Sequence, residues 1–169
     1  MLAVIILGVG IISRIIIHVP NFTPIIAVSL FSGTYVNKKY CVLLPLGLMV
    51  FSDLIIGFHN TILFTWGTMA LITFLGLWLR QNKNPITILG MSLISSVIFF
   101  IITKFGSGIM PGLDPPTWEG LQQCYILAIP FFRATLLSTV IYSFIFFGAY
   151  EFIAHRVKGT KLARVLLTV

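Results

Sequence analysis

Six apolar runs divide this chain, at about 2–18, 23–36, 40–57, 61–79, 86–103 and 122–153, each separated from the next by a turn-forming or charged segment. An α-helix needs roughly 20 predominantly apolar residues to cross a bilayer, and helices satisfy their own backbone polar groups where no water is available. The pattern predicts an all-α polytopic membrane protein with six transmembrane helices. The second run is short for a full crossing. The sixth is long, so its first turns are expected to project beyond the bilayer or the helix to bend at Pro130, whose ring removes a backbone hydrogen bond.

Composition agrees with the runs. With 58% hydrophobic residues, 9% charged residues and a mean hydropathy of +1.06, the 169 residues carry too little polar surface to cover a water-soluble globule. We therefore expect one integral membrane domain over 1–169, without room for a soluble enzyme. No basic residue precedes the first apolar run and no small-residue cleavage site closes it, so that run is expected to remain as a helix rather than leave as a signal peptide.

Loop charges then predict orientation. Lys38 and Lys39 follow the second run, Arg80 and Lys83 the fourth, and Arg156, Lys158, Lys161 and Arg164 the sixth, which places 8 of the 11 basic residues on one face. The opposite loops hold Lys104 with Asp114 and Glu119. By the positive-inside rule both termini are expected to be cytoplasmic. The formal charge of +7 then forms an inner rim facing anionic lipid, and a lipid bilayer rather than a nucleic acid is the expected partner.

Cys41 and Cys124 are predicted to begin helices at opposite faces, a bilayer apart, against the ~6 Å between Cα atoms that a disulfide requires. No paired Cys/His spacing, P-loop, dinucleotide signature or nucleophile elbow occurs. We expect no metal, no cofactor and no catalytic residues. Without a nucleotide site, transport would need a partner or an ion gradient.

The informative residues are polar ones that hydrocarbon disfavours. Arg14, Asp53 and Arg133 all fall in the outer halves of their predicted helices. Charges in spanning segments cost at least ~2.5 kcal/mol and usually face the bundle interior in pairs. Asp53 is the one carboxylate at that depth, with two possible arginine partners, so one positive charge is left for an anion, a wet pocket or snorkelling to satisfy. The outer connections read HVPNFTP, GFHNT and KFGSGIMPGLDPPTWEG. His18, Asn21, Thr23, His59, Asn60 and Thr61 form either a pocket mouth or ordinary interfacial turns, with Asn21, Thr23 and Asn60 suited to helix N-caps. The Gly- and Pro-rich third connection suits a lid, with Gly106 and Gly108 as hinges.

The segments RIIIHVPNFTPIIAVSLFSGTY, LLPLGLMVFSDLIIGFHN and GLQQCYILAIPFFRATLLSTVIY resemble an uncharacterised bacterial family assigned to membrane transport. That family is in turn similar to the substrate-binding S components of energy-coupling factor (ECF) transporters. The resemblance implies a six-helix bundle in a bacterial-type cytoplasmic membrane, with an outward pocket covered by the outer loops. It also implies family-motif positions at Arg14, His18, Pro20, Asn21, Phe22, Thr23, Pro24, Ser52, Asp53, His59, Tyr125, Phe131, Phe132 and Arg133. Two departures stand out: Thr103-Lys104-Phe105-Gly106 where the family tends to have Thr-Asn-Phe-Gly, and Ala134, Ser138 and Thr139 where it has an Asn and a later Gly-Asp. S components resemble one another in an Ala-x-x-x-Ala docking patch on the first helix. That patch is missing here, although Ser29 and Gly33 on the second helix stand four apart.

The leading expectation is a solute-binding or uptake component for a small anionic or zwitterionic solute. Arg14, His18, Asn21, Phe22, Thr23, Asp53, His59, Tyr125, Phe132 and Arg133 are its substrate-binding candidates, and a transmembrane coupling subunit with ATPases its expected partners. The rival is a structural or accessory subunit of a larger membrane complex, with no solute of its own.

Overall fold

The computed structural model describes residues 1–16, 20–58, 60–109, 117–160, 163 and 166, excluding the side chains of residues 15 and 56. Six α-helices account for nearly all of the described chain: α1 Leu2–Ile16, α2 Ile25–Tyr35, α3 Leu43–Ile56, α4 Ile62–Leu79, α5 Pro85–Ile109 and α6 Trp118–Val157. Each falls within or across one of the apolar runs. Three of them, α4, α5 and α6, are long and apolar enough to cross a membrane, whereas α1, α2 and α3 are apolar but shorter.

Helix lengths differ from the sequence pattern for identifiable reasons. The 11 residues of α2 rise about 16 Å, roughly half of a ~30 Å hydrocarbon core. The 40 residues of α6 are assigned as one helix through Pro130, capped at Thr117, whose side chain accepts from Gly120 N–H. A turn and a half more than expected is added to α5, which runs to Ile109 and takes Lys104 out of the outer connection and into the helix.

Gly106 and Gly108 are consequently packing positions inside α5 rather than lid hinges. A Cβ at Gly106 would lie 2.4 Å from the Phe64 ring, and one at Gly108 would lie 2.4 Å from a Leu121 methyl carbon. Helix α5 continues because these glycines let α4 and α6 approach it, which offsets their low helix propensity.

Helix α2 is the axle of the fold. Every residue from Ile25 to Thr34 is buried, as expected for a helix apolar on all sides, and the other five helices pack around it. Its closest approach is to α4. A Cβ at Gly33 would lie 2.1 Å from the Thr73 carbonyl oxygen, and one at Gly76 would lie 2.3 Å from that of Leu30. Thr34 Oγ1 donates across this crossing to the Gly76 carbonyl at 3.1 Å, and Ser29 Oγ contacts Met69 Sδ at 3.1 Å. The Ser29/Gly33 pair is therefore spent inside the chain, not presented to a neighbour.

Both ends of the described chain meet at one end of the bundle, where the Met1 ammonium donates to the Leu166 carbonyl at 3.2 Å. At the C-terminus of α2, Arg80 Nε donates to the Gly33 carbonyl at 2.7 Å and its Nη2 to that of Val36, so a cation satisfies carbonyls that the helix end leaves free. Tyr35 donates to Glu151, and Lys83 lies 4.7 Å from the Tyr35 ring centroid. From there a run of aromatic contacts joins Tyr150, Tyr35, Phe31, Phe146, Tyr142 and Phe22, with centroids 4.0–6.1 Å apart, and leads to the turn before α2.

Candidate functional site

At the opposite end from the basic connections, three helices converge on one carboxylate. Arg14 lies in the last turn of α1, Asp53 in the last turn of α3 and Trp66 in the second turn of α4. Arg14 Nη2 donates to Asp53 Oδ1 at 2.8 Å, and Trp66 Nε1 donates to Asp53 Oδ2 at 3.0 Å. Arg14 Nη1 donates to Ser52 Oγ and lies 3.0 Å from Met49 Sδ. Asp53 is 1% exposed and Arg14 10% on their side chains. A carboxylate this deep is tolerable because both of its oxygens are engaged and its charge is matched. This is the only ion pair among the described residues.

Arg133, the second candidate partner, is exposed on α6 among exposed Ile129, Phe131 and Leu137. Residues 129, 133 and 137 share one helix face, and that face is turned away from the interior. Arg133 is thus separated from the Arg14–Asp53 pair rather than competing within it.

The turn between α1 and α2 is built around Asn21, whose φ of +60° is the left-handed conformation that Asn accepts more readily than most residues. Its carbonyl accepts from Thr135 Oγ1 on α6 at 3.3 Å, and Phe22 packs against Tyr142 with ring centroids 5.8 Å apart. The structure corrects the capping expectation here. Pro24 occupies the N-cap of α2 and Thr61 that of α4, and neither helix has a side-chain cap hydrogen bond. Asn21 shapes the turn instead, and Thr23 is half-buried beside it. His18 and His59 lie outside the described residues.

Next to this turn, α5 and α6 flank a small, partly open cavity of about 30 Å³, lined by Asn21, Phe99, Phe100, Thr103, Lys104, Ala128, Phe131, Phe132 and Thr135. Rings form much of the wall: Phe100 lies 4.7 Å from Phe132 and 5.7 Å from Tyr125, centroid to centroid. Tyr125 is tied down by a 2.6 Å hydrogen bond from its hydroxyl to the Ile101 carbonyl. The Thr103 hydroxyl donates to Phe99 O. Among the described residues, no acceptor engages the Lys104 ammonium.

The candidates therefore separate into two clusters. Arg14 and Asp53 form a closed polar lock, while Asn21 and Phe132 line the cavity, with Phe22 and Tyr125 in contact with its neighbourhood. Sequence reading missed Trp66 as the second partner of Asp53, along with Phe99, Phe100 and Thr135 in the cavity wall. A signal for the wall was present: 99, 100, 103 and 104 lie on one face of α5, and 128, 131, 132 and 135 follow the 3.6-residue period on α6.

One comparison covers nearly the whole chain. The profile of a family of unknown function, DUF6580, matches residues 1–162. The chain belongs to DUF6580. No curated protein and no solved structure matches it significantly. In this DUF6580 member no disulfide joins Cys41 and Cys124, both of which are buried, and no group of three or more His, Cys, Asp and Glu stands together to hold a metal ion among the described residues.

Proposed function

We propose that this DUF6580 protein is a six-span component of a bacterial-type cytoplasmic membrane that binds a small anionic or zwitterionic solute for uptake. Both termini and the basic connections face the cytoplasm in this reading, and the α5–α6 cavity opens toward the outer end. The cationic rim of Lys38, Lys39, Arg80, Lys83, Arg156 and Lys158, gathered at the end where Met1 meets Leu166, supports the orientation. The exposed apolar faces of α1, α4, α5 and α6 support the solvent.

The observation that carries solute binding is the Lys104 cavity. A cation with no acceptor among the described residues, bordered by rings and by the turn at Asn21, offers both an electrostatic and an apolar contact. A cavity of about 30 Å³ holds roughly two water molecules, so a larger solute enters by displacing the aromatic wall or the turn. If the likeness of the resembled family to ECF S components extends to this chain, energy comes from a transmembrane coupling subunit and ATPases. The test is native mass spectrometry of the detergent-purified protein. Release of a small molecule on denaturation is the expected result, and a protein that carries none and takes none up in reconstituted vesicles overturns the reading.

The exposed Arg133 favours a second reading. An arginine on an outward apolar helix face calls for an acidic or polar neighbour, as in an accessory subunit of a larger membrane complex. Stoichiometric co-purification that is lost in Arg133→Leu, without any retained solute, would establish it.

A further inference from the structure

We infer that the α5–α6 cavity is a carboxylate subsite, and that the ligand is a monocarboxylate with an apolar remainder. The inference rests on the solute-binding reading and names the solute's class. Three observations carry it.

First, the size is that of a head group. About 30 Å³ accommodates roughly two water-sized groups, which matches the two oxygens of a carboxylate and excludes a sugar, nucleoside or fused-ring head group from the preformed space. Second, the polar lining is matched to an anion. Lys104 supplies the charge, and among the described residues no carboxylate pairs with it. The Thr103 and Thr135 hydroxyls already donate to backbone carbonyls, so they leave lone pairs rather than new donors. Among the described lining residues, Lys104 and the Asn21 amide are then the side chains left to donate, which suits a single negative charge better than a phosphate, whose three oxygens seek more donors.

Third, the rest of the wall is apolar and opens on an apolar surface. Phe99, Phe100, Phe132 and Ala128 line the cavity, and Phe131 at its edge is 51% exposed on the same outer surface of α6 as Leu127. A ligand whose head reaches Lys104 lays its remainder over Phe131 and Leu127. Its apolar part thereby replaces contact with lipid or water, while the head offsets a charge that is costly at this depth. A free inorganic anion would gain only the second of these terms.

The experiment uses the full chain in phosphatidylcholine nanodiscs and ¹³C-carboxyl-labelled octanoate and benzoate, with empty nanodiscs as the partition control and acetate as competitor. Saturable binding of at least one probe is expected. Lys104→Gln should weaken it by at least about tenfold, the worth of one charge-assisted hydrogen bond, and Lys104→Arg should retain it. Octanoate binding alone identifies a membrane-dissolved chain as the source, whereas benzoate binding identifies a water-borne aromatic acid. Equal binding by wild type and a monodisperse Lys104→Gln protein overturns the inference, as does acetate competing as well as octanoate. Failure here is distinguishable from failure of solute binding. A protein that releases a neutral or cationic solute, retained in Lys104→Gln, remains a binding component but not one for carboxylates.

Discussion

Trp66 donates its indole N–H to the Asp53 oxygen that Arg14 leaves open, at 3.0 Å, so one carboxylate ties α1, α3 and α4 together. Removing one member of such a buried pair strands a charge, at a cost of about 3–5 kcal/mol. Arg14→Leu and Asp53→Leu alone are expected to lower the thermal midpoint of the purified protein sharply. The double variant Arg14→Leu/Asp53→Leu should recover much of the loss. A thermal-unfolding double-mutant cycle checks this, and additive losses would show that the pair is not coupled.

The α2–α4 crossing predicts a contrast between glycines. Gly33→Ala and Gly76→Ala each place a methyl within 2.3 Å of an opposing backbone carbonyl, which cannot rotate away. Each should destabilise by about 1–3 kcal/mol or prevent folding. Gly47 and Gly90 have nothing within 4 Å of their Cβ positions, so alanine there should be neutral or stabilise by up to ~1 kcal/mol through helix propensity. Denaturation profiles in detergent distinguish the two pairs.

Asn21 makes the approach to the cavity depend on backbone conformation. At φ +60° glycine is at least as comfortable as asparagine, while a β-branched residue is strained by about 1–2 kcal/mol. Asn21→Gly should preserve stability, and Asn21→Val should lower it and weaken retention of any solute. Equal thermal midpoints for the two variants would show that the turn does not hold this geometry.

Arg133 distinguishes the two readings of function. Because it is exposed and no described carboxylate pairs with it, Arg133→Leu should leave the stability of the isolated chain within about 0.5 kcal/mol. Solute retention governed by Lys104 should persist in that variant. Loss of stoichiometric partners with solute retention intact would assign Arg133 to assembly, and loss of solute would return it to the binding site.

Thr117 caps the 40-residue α6, and Thr117→Ala should cost about 1 kcal/mol. Circular dichroism combined with thermal unfolding reads this as a lower midpoint with helix content nearly unchanged.

All six helices were legible in the sequence because hydrophobicity is written residue by residue, and long apolar runs have few alternatives to helix. The affinity of Asp53 for a nearby arginine was legible too, since a lone carboxylate in apolar surroundings must find a cation. Three-dimensional packing decided which arginine it took. Arg14 reaches Asp53 because α1 and α3 end side by side, while Arg133 falls on the outward face of α6. Packing also turned Gly106 and Gly108 from apparent hinges into contact points that lengthen α5, which brings Lys104 out of a loop and into a cavity wall. Chain order alone contains the period that puts Phe99, Phe100, Thr103 and Lys104 on one helix face. It does not state that the matching face of α6 lies opposite, because helix rotation and partner choice are set by close packing among residues distant in sequence.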